Sequence, residues 1–183
     1  LVGLVTALLR MSRSFAGRAL ATTYLELVRN TPLLVQLYLF YFVLAPIIGI
    51  DRFTTGVLCL TFYEATFVAE IIRAGIQSVD RGQWEASSAV GLDRFDTYRY
   101  VVLPQAVPLM LPPLTGQIVN LIKHSAVVSV IAVADLTTEG RNLIADTFMS
   151  FEVWFTVAGM YLVLTLTLSA FVSWLEHRTR VRS

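Results

Sequence analysis

The chain has 183 residues, of which 56% are hydrophobic and 15% charged, with mean hydropathy +0.67 and formal net charge +1. So apolar a composition excludes an ordinary soluble domain and favours a polytopic membrane protein. The near-neutral balance provides no global field for nucleic acid, and the single cysteine, Cys59, cannot form an intrachain disulfide and reads as a small packed hydrophobe.

Residues 1–9 are apolar and read as the tail of a membrane helix whose beginning is missing, followed by Arg10, Arg13 and Arg18. Basic residues beside a helix end place that end on the cytoplasmic side. Residues 19–30 read as helix, with Glu26 and Arg29 spaced to pair on its surface. Thr31-Pro32 permits a kink or a new start. Residues 33–48 form a second, aromatic-rich span running outward. Gln36 stands near its start, where a hydrogen bond between helices and a substrate contact are equally open.

Residues 55–79 make the third span and contain Glu64, Glu70 and Arg73. Ionisable groups inside a span are costly and face a cavity or a partner. Glu70 and Arg73, one turn apart, read first as an intrahelical pair. Glu64 lies in mid-span and is the candidate for a substrate amino or cationic group. Tyr63 and Phe67, with Tyr38 and Tyr41, line either a cavity or a helix-packing stripe.

The polar stretch 80–104 follows, held between apolar segments. Two short helices fit it, over about residues 82–90 and 94–102. Gly91 sits where the first needs positive φ to stop. Asp93 can cap the second, with Asp96 in its first turn. Such an elbow suits docking to a soluble partner. Residues 105–122 make the fourth span, in which Pro108, Pro112 and Pro113 predict kinks or irregular backbone. Residues 124–150 read as a broken or re-entrant segment plus an external loop. Lys123, the only lysine, stands just before it and can meet a substrate carboxylate, snorkel, or pair with Asp135. His124 reads as structural or solvent-facing.

Residues 151–175 make the last span. Trp154 and Trp174 are roughly 30 Å apart along a helix, about one hydrocarbon thickness. Arg178, Arg180 and Arg182 then place the C-terminus in the cytoplasm. The arginines assigned to inner ends (10, 13, 18, 73, 81, 94, 99, 178, 180 and 182) far outnumber Arg52 and Arg141 in the outer loops. The expected fold is an all-α membrane protein, a single transmembrane domain over 1–183, with five spans counting the truncated first and an inward-facing elbow at 80–104. No Walker A loop, metal-ligand cluster or nucleophile elbow is encoded. Catalysis within the chain is therefore unsupported, and any ATP must be hydrolysed elsewhere.

Within the elbow, Glu85-Ala86-Ser87, three residues, Gly91, nine residues, Val101, one residue and Leu103-Pro104 resemble the EAA loop of importer-type ABC permeases, with Ser87 for Ala and Val101 for Ile. Arg29-Asn30-Thr31-Pro32-Leu33-Leu34-Val35-Gln36, residues 69–79 and 82–86, and Leu121-Ile122-Lys123-His124-Ser125 extend the resemblance to the polar amino-acid ABC permeases over nearly the whole chain. His124 replaces a usual acidic residue, Ala126-Val127 replaces Ser-Leu, Glu64 stands at a position expected to be small, and Phe67 at one expected to be Tyr. The resemblance implies an inner-membrane permease paired with an identical or sister permease, surrounded by lipid. Two cytoplasmic ATPase subunits carrying ATP-Mg would grip the elbows, and an external binding protein would deliver a polar or charged amino acid. It implies coupling contacts at Glu85, Ala86, Gly91, Asp93, Arg94, Leu103 and Pro104. Substrate contacts are expected from Glu64, Lys123, Ser125, Tyr63 and Gln36. The alternatives are an ion-coupled secondary amino-acid carrier using Glu64, Lys123 and Asp135, and a non-transporting scaffold.

Overall fold

The computed structural model describes the backbone of residues 1–179 and the side chains of residues 1–174, so Arg180 and Arg182 and the side chain of Arg178 lie outside the described residues. The described residues form ten α-helices joined by short wide or tight turns, with no strand among them. In order they are α1 (Val2–Met11), α2 (Phe15–Arg29), α3 (Leu33–Leu39), α4 (Ala45–Ile48), α5 (Arg52–Gln77), α6 (Arg81–Ala89), α7 (Arg94–Asp96), α8 (Leu103–Ser125), α9 (Leu136–Thr147) and α10 (Ser150–Thr179).

Among the described residues, three helical stretches are long and apolar enough to cross a membrane: Arg52–Gln77, Arg94–Ile131 and Ser150–Trp174. A fourth exists if Phe15–Arg29 and Leu33–Ile48 act as one span, but the two are bent by 108°. The kink expected at Thr31-Pro32 is thus a sharp corner. Pro32 is the N-cap of α3 and has no N–H to continue α2. Gln36 holds the corner: its Nε2 donates to the carbonyls of Val28 (2.6 Å) and Thr31 (3.0 Å) and to the Thr31 hydroxyl (2.7 Å).

Polar residues just ahead of the helices fix where they start. Asp51 caps α5, accepting from the backbone N–H groups of Phe53 and Thr54, and Asp80 caps α6 through Gly82 N–H. Asp93 caps α7 through Asp96 N–H at 2.8 Å. Gly91, at φ +81°, ends the first arm of the elbow.

The second arm departs from the expectation of a separate helix over 94–102. α7 is three residues long and passes through a widened π turn, Thr97–Val102, straight into α8. Leu103-Pro104 therefore does not close the elbow; Arg94–Ile131 is one continuous helical run. Nor is the backbone irregular at Pro108, Pro112 and Pro113, which all lie inside α8. The wide turn immediately before Pro104 gives room for its ring and its missing N–H. Two side chains bond back to carbonyls within the same run: Thr115 Oγ1 donates to Pro112 O (2.7 Å) and Gln105 Nε2 to Val101 O (2.7 Å). At its far end α8 tightens into a 3₁₀ turn, Ala126–Ile131, and Ala132 at φ +54° breaks the chain before α9. This is the break expected in 124–150.

α5 is the central post, packed by α1 on one side and α8 on another. Three apolar clusters lie along it. Cys59 joins Leu33, Leu37, Val128, Ile131 and Val133 near one end. Ala69 meets Ala7 and Leu25 further along, and Ile76 and Val79 join Val102, Ala106 and Met110 at the elbow. Close approach of α1 needs Gly3, where a Cβ would come within 2.8 Å of Val68 and 2.9 Å of the Ala65 carbonyl. α10 is hardly buried within the chain, which leaves its surface for lipid or a partner.

Candidate functional site

Glu64 lies at the midpoint of α5, between the Cys59 and Ala69 clusters, and only 7% of it is exposed. A carboxylate held there needs partners for both oxygens. It has them on α8. Oε1 lies 2.5 Å from His124 Nδ1, and Oε2 accepts from Gln117 Nε2. Because a carboxylate only accepts, Nδ1 carries the proton of the His124 contact. Tyr63 stands edge-on to the His124 ring, centroids 5.5 Å apart, and packs on Phe67 at 5.3 Å. Arg29, from the end of α2, lies over the Phe67 ring. The cluster thus draws on α2, α5 and α8.

The residues expected at the substrate site are distributed unevenly. Glu64 and Tyr63 meet at this cluster. Ser125 follows His124 and donates to Ile122 O (2.7 Å) within its own helix. Gln36 is buried and spends its amide on the α2–α3 corner. Lys123 is exposed and makes no ion pair among the described residues. Asp135, its possible partner, caps α9 instead and receives the Tyr161 hydroxyl. Gln117 is the member the sequence reading passed over. It sits seven residues before His124, so two turns of α8 put both on one face, and that spacing was the available signal.

A second polar group ties α1 to α5. Glu70 bonds Arg73 on its own helix (2.8 Å), as the spacing predicted, and also Arg10 on α1. Arg73 further donates to Gln77. No group of three or more possible metal ligands occurs among the described residues.

The elbow is built differently. Its inner face is packed: Ser87 is buried, and Trp84 meets Tyr98 edge to face at 5.3 Å. Its outer face is open. Glu85 and Arg81 pair on the surface at 2.9 Å, and Ala86, Gly91, Asp93 and Arg94 are exposed, as are the apolar Val90 and Phe95. Leu103 and Pro104 are exposed too, but on the continuous helix rather than at a corner. An open surface mixing charge and large apolar groups has the make-up of a protein-docking site.

Residues 1–181 match the family described as binding-protein-dependent transport system inner membrane component. The chain is 40% identical over 179 residues to the probable glutamine ABC transporter permease protein GlnM of Bacillus subtilis, covering 97% of this chain and 82% of that protein. It is 39% identical over 186 residues to the glutamine transport system permease protein GlnP of Escherichia coli, covering 98% and 85%. Its fold matches a crystal structure of an amino acid ABC transporter with histidines, at TM-score 0.90 and 42% identity over 97% of this chain and 83% of that one. It also matches inward-facing MetNI methionine ABC transporter, at TM-score 0.77 and 20% identity over 99% and 85%, which is a likeness of fold alone. The chain therefore belongs to the binding-protein-dependent transport inner-membrane components, the membrane-spanning permeases of ABC transport systems.

Proposed function

We propose that this chain is the permease subunit of an ATP-driven importer of a polar amino acid, with glutamine the first substrate to test. The observation that carries the reading is the pairing of two sites on one pair of helices. The buried Glu64–His124–Gln117 cluster and the open elbow both belong to α5, α8 and the run that joins them. Similarity to permeases of glutamine systems supports the substrate.

On this reading the elbow faces the cytoplasm, and ATPase subunits holding ATP-Mg grip Glu85, Ala86, Gly91, Asp93 and Arg94. Closure of those subunits on ATP moves α6 and the α7–α8 run together, because Trp84 and Tyr98 lock them. The movement tilts α8 against α5 at the polar cluster. ATP shifts the permease only by binding one of its states more tightly. A second permease completes the path, and an external binding protein delivers the amino acid. The chain itself performs no covalent chemistry; its residues bind, orient and gate.

The test is reconstitution of the permease with its ATPase and binding protein in proteoliposomes. ATP inside and glutamine with binding protein outside should give uptake, while an imposed proton or sodium gradient without ATP should give none. Uptake driven by the gradient alone would instead establish the ion-coupled carrier.

A further inference from the structure

Both oxygens of Glu64 already have a partner within the chain. One faces His124 Nδ1 at 2.5 Å and the other accepts from Gln117. His124 is different. Its Nδ1 is taken, but Nε2 has no hydrogen-bond partner among the described residues and is not among the buried unpaired atoms. The ring is about one-third exposed, whereas the Glu64 side chain is at 10%. Tyr63 meets the ring edge-on and limits how it can turn. The arrangement is a carboxylate-oriented imidazole at the end of α8, presenting one ring nitrogen beside the middle of α5.

We propose that His124, positioned by Glu64 and Gln117, is the residue that meets the substrate's side chain, and that the Glu64–His124 pair selects neutral amide side chains over cationic ones. This rests on the amino-acid permease reading above. The physical reason is the charge balance. The Glu64 charge is already met by His124 Nδ1 and Gln117 Nε2. His124 Nε2 stays open, and a side-chain amide, which has both a donor and an acceptor, can pair with it in either role. A guanidinium or ammonium has only donors and must compete with His124 Nδ1 and Gln117 Nε2 for the Glu64 oxygens. The exposed positive charge of Lys123, the next residue, disfavours it further.

The experiment uses the full-length permease–ATPase complex in nanodiscs, titrated with glutamine and with arginine. The binding protein is omitted so that its own selectivity does not enter. The wild type should bind glutamine at least tenfold more tightly than arginine. His124→Ala frees one oxygen of Glu64, so glutamine should weaken roughly tenfold, about one hydrogen bond's worth, while arginine strengthens. Adding Glu64→Gln to that variant should abolish the gain for arginine. His124→Asn keeps a donor near the Nδ1 position but lacks Nε2; it should weaken glutamine without strengthening arginine. An unchanged arginine-to-glutamine ratio in His124→Ala overturns the assignment, as does a gain for arginine that survives Glu64→Gln. If His124→Ala fails to assemble, unaltered glutamine binding by His124→Asn overturns it equally. A wild-type complex that binds no amino acid defeats the permease reading itself, an outcome separable from these.

Discussion

Trp84 of α6 and Tyr98 of the wide turn ahead of α8 meet edge to face, ring centroids 5.3 Å apart and planes at 83°. They join the two arms of the elbow across Gly91, and both pack on the cluster of Ile76, Val79, Val102, Ala106 and Met110. The elbow is thereby fastened to the ends of α5 and α8 rather than hanging from them.

Trp84→Ala should loosen that fastening. The edge-to-face pair alone is worth about 0.5–1.5 kcal/mol, beyond the area buried. Thermal unfolding of the complex should move down accordingly. Transport should fall more than ATP hydrolysis, since the ATPase keeps its grip while the lever slips. Trp84→Phe should restore most of the ratio of amino acid moved to ATP hydrolysed. Equal loss of both activities in Trp84→Ala would contradict a lever.

The Arg81–Glu85 pair is at the surface, with side chains 91% and 67% exposed. Exposed i,i+4 pairs add at most about 0.5 kcal/mol. Glu85→Arg should therefore leave the melting temperature of the isolated permease nearly unchanged. Its effect should appear on assembly: weaker retention of the ATPase in pull-down and a lower rate of substrate-stimulated hydrolysis. Assembly and transport at wild-type levels would remove Glu85 from the docking surface.

Gln36→Leu tests the corner between α2 and α3. Three acceptors lose their donor at once: the carbonyls of Val28 and Thr31 and the Thr31 hydroxyl. Val28 is partly buried and Thr31 exposed, so water answers part of the loss and the cost is about 1 kcal/mol. Gln36→Glu, similar in shape but acceptor-only, should be at least as harmful. Protease nicking between residues 29 and 33 should rise in both variants. Wild-type protection in Gln36→Glu would show that the amide is not the staple.

Gly3→Val places branched carbon where a single Cβ would already meet Val68 Cγ1 at 2.8 Å and Ala65 O at 2.9 Å. One of those atoms is backbone and cannot rotate away. α1 should be levered off α5, at about 1–3 kcal/mol for overpacking. The same movement would part Arg10 from Glu70. Cysteines placed at 7 and 69, which touch in one apolar cluster, should then crosslink more slowly.

The Asp51 carboxyl sits below its ordinary pKa, chiefly because Thr54's hydroxyl donates to it, with the N–H groups of Thr54 and Phe53 adding to the effect. The folded state thus binds this proton less readily than the unfolded chain. The contribution is complete above the ordinary carboxylate range and is lost as pH falls through the lowered value. The melting temperature at pH 7 minus that at pH 3 should therefore be smaller in Asp51→Asn than in the wild type. An identical difference would mean the cap does not titrate with folding.

Much of this architecture was readable along the chain because the forces involved are local. Apolar runs marked the spans, Gly91 marked the end of the elbow's first arm and Asp93 the start of its second, and three-residue spacing marked the Glu70–Arg73 pair. Each depends only on residues within one or two turns. The sequence could not say which way a helix is rotated about its axis, or how sharply it bends. Those depend on packing against distant segments, so three things emerged only in the tertiary structure. One is the 108° corner at Thr31-Pro32. Another is the uninterrupted passage of Arg94–Ile131 through its prolines, made possible by the wide turn before Pro104. The third is the meeting of Glu64 with His124, 60 residues on. Residue types alone showed that a carboxylate inside an apolar helix needs a partner. Only the face of α8 turned towards α5 decided that the partner is an imidazole and an amide of the same chain.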